Sequence, residues 1–198
     1  IMPIPERAVF ESGYENEKEK YSDFIGKLEE SFSDSSVVLN PLPELEQHQD
    51  EYIYFRTANN WTMRGAFHGA QVVFEELGYE KENLDAYRKY VFGVFRGNLL
   101  LGASEKYTAD EIKKDITDME RDPFYIYING SNPNSEELTF ENKEGQKQTV
   151  KRQMIQFNSR GSQAVIGADY EHSIVEGRGK GQQKGNLLLI ADTRGKMM

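Results

Sequence analysis

The sequence predicts an α+β fold, with N-terminal helices packed on a mainly antiparallel, hairpin-rich sheet formed largely by the C-terminal half. Three observations predict it. Apolar residues recur at spacings of three and four through much of the first 120 residues, the period of a one-sided helix. After that point aromatic and β-branched runs dominate, broken at Asn129-Gly130 and Glu144-Gly145, which is how strands and tight turns read. Helices therefore precede strands instead of alternating with them, which separates α+β from a doubly wound sheet. A chain of 198 residues fits one domain, expected over 1–198, helix-rich over residues 1–120 and strand-rich over residues 121–198.

In chain order, Asn16 to Phe32 predicts a helix whose apolar face carries Tyr21, Phe24, Ile25, Leu28 and Phe32. Val37 to Leu39 reads as a short strand, and Asn40-Pro41-Leu42-Pro43 as a stiff connection. Tyr52 to Phe55 reads as a strand. The polar run Thr57-Ala58-Asn59-Asn60 is expected to cap a helix from Trp61 to Leu77 that stops at Gly78. Its apolar face is expected to hold Phe67, Ala70, Val73, Phe74 and Leu77, while Gly65 and Gly69 suggest a close contact. A helix is expected from Asn83 or Asp85 through Tyr87, Tyr90, Val91, Val94 and Phe95. Another starts with the capping box Thr108–Glu111 and carries Ile112, Ile116 and Met119. Strands follow at Phe124–Ile128, Leu138–Phe140, Thr149–Phe157, Ala164–Ile166, Tyr170–Val175 and Leu187–Ala191.

Composition excludes several classes. The net charge of −9 and pI near 5.0 argue against broad, non-specific nucleic-acid binding, though a local phosphate or anion contact remains open. The absence of cysteine removes disulfides, Cys-ligated zinc and thiol catalysis. No apolar run has membrane-spanning length, and Ile1-Met2-Pro3-Ile4-Pro5 lacks the pattern of a signal peptide. The expected setting is cytoplasmic, in a cell or an infected host.

Four candidate sites stand out. The first is Val175 to Asn186, where four glycines alternate with Arg178, Lys180 and Lys184. Converging backbone N–H groups and cations can hold an oxyanion; a plain connection between two strands is the competing reading. Arg178-Gly179-Lys180-Gly181 after an apolar stretch resembles the pyrophosphate-binding loop of GNAT-fold acyltransferases, with Gln183 where that loop has a small residue. The resemblance implies acetyl-CoA as a ligand and covers about a tenth of the chain. The second candidate is Asp122 with Glu141 and Lys143. It is similar to the metal-binding constellation of PD-(D/E)xK nucleases, which implies two carboxylates on Mg²⁺ and a lysine that helps activate water; a solvated hairpin end is the alternative. The third is histidine. His48, His68 and His172 are scattered along the chain, and Asp169, Glu171 and His172 do not share one strand face, so no metal site is predicted. The fourth is Arg56 to Arg64, where a strand end, a polar loop and a helix start place Arg56, Asn59, Asn60, Trp61 and Arg64 together as anion or partner contacts. An Asn-capped helix whose Trp closes the core is the alternative.

No Gly-x-Ser-x-Gly elbow and no catalytic triad is evident, so no catalytic residue or cofactor is named. The expectation is a non-enzymatic binding or assembly protein acting through protein–protein contacts, with another protein or its own copies as partner and no membrane. A viral or phage accessory or structural protein is the imagined setting. The alternative is an enzyme on a phosphorylated or nucleotide substrate, acyltransferase-like or a metal-dependent nuclease. It would use loop 177–185 for phosphate and His172 or Glu171 as the acid–base group.

Overall fold

The computed structural model describes residues 1–32, 36–95, 122–128, 137–141, 147–151 and 172–175. The glycine-rich run, the Thr108 helix and the strands expected at 164–166 and 187–191 lie outside them. The architecture is α+β. Helices α1 (Glu15–Phe32), α2 (Leu42–Gln47) and α3 (Met63–Glu76) come first. Strands β1 (Arg88–Phe95) and β2 (Asp122–Ile128) form one antiparallel pair. A second antiparallel sheet has the order β4 (Lys147–Lys151), β3 (Glu137–Glu141), β5 (His172–Val175). The expected hairpin around Glu144-Gly145 is present as the β3–β4 pair, from Glu137 opposite Lys151 to Glu141 opposite Lys147.

Helix α1 forms where its periodicity places it, but it buries only Tyr21 and Ile25; Phe24 is about half exposed. These two residues pack with Leu42, Val9, Phe10 and Val38. The segment after α1 is tied to the chain start instead of forming a strand: the Leu39 N–H donates to the Ile1 carbonyl at 2.7 Å, and the Ile1 ammonium donates to the Val37 carbonyl. The expected stiff connection is the start of α2. Pro41 needs no N–H there, and Asn40 Oδ1 accepts from the Leu42 N–H at 3.1 Å.

Helix α3 begins later than the polar run suggests. Its cap is Thr62, whose Oγ1 accepts from the Gly65 N–H at 3.3 Å and donates to the Tyr52 carbonyl at 2.6 Å. One buried hydroxyl thus serves a helix end and a neighbouring segment. Thr62→Ala is expected to lower stability by about 1–2 kcal/mol in urea denaturation, with Thr62→Ser close to wild type. The helix ends at Gly78 with φ +75°. The Gly78 N–H bonds the Glu75 carbonyl and the Tyr79 N–H bonds the Phe74 carbonyl at 2.8 Å. The Tyr79 and Phe74 rings meet edge to face, the apolar contact that accompanies this kind of helix end.

The buried face of α3 differs from the expected one. Gly65, Ala66, His68, Gly69 and Gln71 are buried, and Leu77 is exposed. The reason is Trp61, wholly buried, whose ring lies against Gly69, while its Cβ and the Ile53 carbonyl lie against Gly65. The core joins it to Leu45, Ile53, Phe55, Ala58, Phe124 and Ile126.

The helix expected from Asn83 onward is instead a 3-10 turn, Leu84–Ala86, followed by strand β1. Tyr90, Val91, Val94 and Phe95 satisfy a helical spacing, but aromatic and β-branched residues in succession suit a pleated strand better. Gly93, at φ +151°, takes the β-bulge where the register with β2 skips between Val91 and Gly93. In β2 the alternation is regular: Asp122, Phe124 and Ile126 are buried and Tyr125 and Tyr127 less so.

Candidate functional site

The loop from Phe55 to Trp61 is folded back on itself. Tyr54 and Trp61 pair as an isolated antiparallel bridge, and the Phe55 N–H donates to the Asn60 carbonyl at 3.0 Å. Asp122, at the start of β2 and only 2% exposed, fixes the turn between them. Its Oδ1 accepts from the Arg56 N–H at 3.0 Å and from the Tyr52 hydroxyl. Its Oδ2 accepts from the Thr57 N–H at 2.7 Å and from the Thr57 hydroxyl. Burial, and then the hydrogen bond to Asp122 and its charge, hold the Tyr52 phenol in its protonated form well above its ordinary range. The Asp122 carboxylate is thus fully engaged in holding a loop. The nuclease-like reading of Asp122, Glu141 and Lys143 loses its first acid to this structural role; Lys143 lies outside the described residues.

On this clamped loop Arg56 is exposed, with its guanidinium 5.3 Å from the centre of the Tyr52 ring. Asn59 and Asn60 are half-buried at the surface. Trp61, weighed above as a partner contact or as a residue closing the core, is wholly buried. Burying the largest side chain stabilises the core more than exposing it would.

Arg64 belongs to a second group of residues. The C-terminal end of α2 and the middle of α3 bring His48 and His68 together, their rings stacked with centres 3.6 Å apart. Their separation in sequence conceals this; only the position of His68 one turn after Arg64 on a helix hints at a shared face. Glu51 joins the group. Its Oε1 lies 2.9 Å from His48 Nδ1 and its Oε2 lies 3.3 Å from His68 Nε2, and it also pairs with Arg64. Burial would raise the Glu51 pKa, but hydrogen bonds from Arg64, His48 and His68 outweigh it and bring it down to about 2. Burial pushes His68 toward its neutral form. Glu44 Oε1 lies 3.7 Å from His48 Nε2, and its Oε2 is 2.7 Å from Lys81 Nζ. These residues line a cleft of about 290 Å³. Glu44 and Glu51 carry no signal in sequence, because nothing local marks them from the other 31 acidic residues of a chain with 33. Of the other expected contacts, Arg178, Lys180 and Lys184 lie outside the described residues, and His172 is described only as the first residue of β5.

Among the described residues no helix is long and apolar enough to cross a membrane.

The profile of the DHHW protein family matches residues 38–138. A DHHW family protein from Eubacterium siraeum has a similar solved structure, with TM-score 0.66 and 21% identity over 85% of this chain and 54% of that one. The chain therefore spans about half the length of that protein. Bacillus cereus PatB1 is more distantly similar, at TM-score 0.48 and 15% identity over 78% of this chain and 54% of that chain. So is the O-acetyltransferase domain of Pseudomonas putida AlgJ, at 0.41 and 14% over 64% and 46%. No curated protein matches the chain.

These findings correct the expectation of a viral or phage assembly protein acting through protein–protein contacts: the matching family has a solved bacterial member. Read as one-letter residue codes, the family's name spells Asp-His-His-Trp. This chain has a single tryptophan, Trp61, within the matched range, and the three residues before it are Ala58, Asn59 and Asn60. No ionisable side chain stands in the three positions before Trp61. With the profile covering about half of its length, Trp61 and its loop included, the chain belongs to the DHHW protein family.

Proposed function

We propose that this chain carries out transfer of an acyl group from an oxygen ester to a hydroxyl or water, releasing the ester's alcohol, with the Arg56–Asn60 loop as the surface that holds the acyl oxygen. The observation that carries this reading is the Asp122 clamp. Hydrogen bonds to the Arg56 and Thr57 N–H groups pin the backbone from beneath, so the amides of Asn59 and Asn60 and the Arg56 guanidinium sit on a fixed turn. Donors held in advance of the reaction are what an acyl-transfer site uses to stabilise a developing oxyanion. Side-chain amides serve this purpose, and a nearby guanidinium adds charge without changing protonation.

The test is turnover of aryl acetates, followed by that of an O-acetylated saccharide. The first reports oxygen-ester cleavage in general, and the second asks for the ester of an aliphatic hydroxyl. Asn60→Ala is expected to reduce kcat by about 10²-fold with little change in the thermal midpoint. Wild type no faster than the Asn59→Ala/Asn60→Ala pair overturns the reading. So does turnover that appears only in an Asn59→His/Asn60→His variant, which would show that the natural Asn59 and Asn60 do not support the reaction.

A further inference from the structure

We propose that Glu44, His48 and His68 form a site for a divalent transition-metal ion, zinc being the first candidate. One ligand atom from each of the three residues can be chosen so that all lie within 4.8 Å of one another. Zinc–nitrogen and zinc–oxygen bonds of about 2.0–2.2 Å place tetrahedral ligands roughly 3.4 Å apart. The group therefore has to close by about an ångström. Two imidazoles and one carboxylate, with a fourth position left for water, are a donor set that suits zinc and disfavours magnesium or calcium, which take oxygen.

The surroundings supply the orienting contact that such sites use. Glu51 bonds one nitrogen of each ring, at 2.9 Å for His48 Nδ1 and 3.3 Å for His68 Nε2. A carboxylate behind a ligating histidine fixes the ring's orientation and raises its basicity. Here one carboxylate serves both rings. It leaves His48 Nε2 turned toward Glu44 Oε1, 3.7 Å away.

The present arrangement also shows what must move. The rings are stacked with an interplanar angle of 13°, and lone pairs lie in the ring planes, so two parallel rings do not aim at one point. His68 is fixed by burial at 6% exposure. His48 sits just beyond the last residue of α2 and its side chain is 30% exposed, so His48 is the ring that turns. Lys81 bonds the other oxygen, Glu44 Oε2, at 2.7 Å, which leaves Oε1 for an ion. The cleft opens beside these residues, which gives an ion a way in.

This inference is independent of the acyl-transfer reading, which rests on a different loop. The experiment is isothermal titration of the full chain with Zn²⁺, together with the visible spectrum after Co²⁺ loading. The expected result is one ion bound per chain and the intense visible bands of four-coordinate cobalt. Glu51→Gln is expected to lower Zn²⁺ affinity 10- to 100-fold. His48→Gln and Glu44→Gln should each lose at least that much, with unchanged circular dichroism and thermal midpoint in the absence of metal. Both residues are only partly buried, so these variants are expected to fold. No zinc binding, or His48→Gln binding as tightly as wild type, overturns the proposal. So does Mg²⁺ binding with equal strength, which would report a diffuse acidic surface.

Discussion

Trp61→Ala is expected to destabilise the fold by about 3–5 kcal/mol, near the upper end for a single truncation in a core. The cost comes from what lies beneath the indole. Gly69 on α3 presents bare backbone to it, and Gly65 does the same to the Trp61 Cβ and the Ile53 carbonyl. A methyl group at Gly69 would lie 2.6 Å from one ring carbon of Trp61 and 2.7 Å from another, and a methyl group at Gly65 would lie 2.8 Å from the Trp61 Cβ. A helix without side chains along this groove has nothing to extend into the space the ring vacates. The cavity therefore collapses little, and the cavity penalty adds to the lost burial. Phe55, Ala58 and Ile126 on the other sides are buried in the same cluster and lose packing partners with it. Urea or guanidinium unfolding, read by circular dichroism since the only tryptophan is gone, measures the effect. A loss below about 1.5 kcal/mol would mean that α3 shifts to fill the space, which the groove geometry argues against.

The same contact explains which regions of the fold could be read from sequence. Elements defined by local period were legible: α1, α3, β2 and the β3–β4 hairpin lie close to where their patterns place them. The close contact expected at Gly65 and Gly69 is there as well. The buried face of α3 was not legible, because the residue that packs against its glycines comes from outside the helix. Local apolar spacing pointed to Phe67, Val73 and Leu77, whereas the Trp61 ring selects Gly69, and the Ile53 carbonyl with the Trp61 Cβ selects Gly65. Strand β1 failed for another reason. Tyr90, Val91, Val94 and Phe95 fit either period, and its pairing with β2 joins residues such as Tyr90 and Ile126, a choice that no local window contains. The site divides the same way. The Arg56–Arg64 stretch was visible as a strand end, polar loop and helix start. The acid that holds it, Asp122, was visible only as a candidate metal ligand. His48 and His68 meet because α2 packs on α3, and nothing within either helix predicts that Glu51 bonds both rings.

Asp122→Ala is expected to cost about 3–5 kcal/mol and to release the loop whose position the functional reading depends on. A single buried carboxylate accepts from two backbone N–H groups, the Thr57 hydroxyl and the Tyr52 phenol. Removing it leaves those donors without the acceptor they face, and an orphaned buried donor costs about 1–3 kcal/mol. The four do not add, since water entering the vacated space satisfies some of them. Asp122→Asn separates charge from geometry. It keeps an acceptor oxygen but turns a donor NH₂ toward N–H groups that also donate, so it is expected to fall between wild type and alanine. Tyr52→Phe removes one bond from the edge of the network and should cost about 1 kcal/mol. The pattern across the three variants distinguishes a clamp from simple core packing. A clamp predicts that amide hydrogen exchange at Arg56 and Thr57 accelerates in Asp122→Asn while Leu45 and Ala66 amides remain protected. Packing alone predicts that both groups change together with global stability. If acyl transfer depends on the fixed turn, kcat should fall in the same order as the exchange rates rise, Tyr52→Phe first and Asp122→Ala last. The circular dichroism of Asp122→Asn should stay that of the folded chain. Uniform exchange across both groups would reduce Asp122 to a buried polar residue of the core and remove the physical support for the loop as a prepared site.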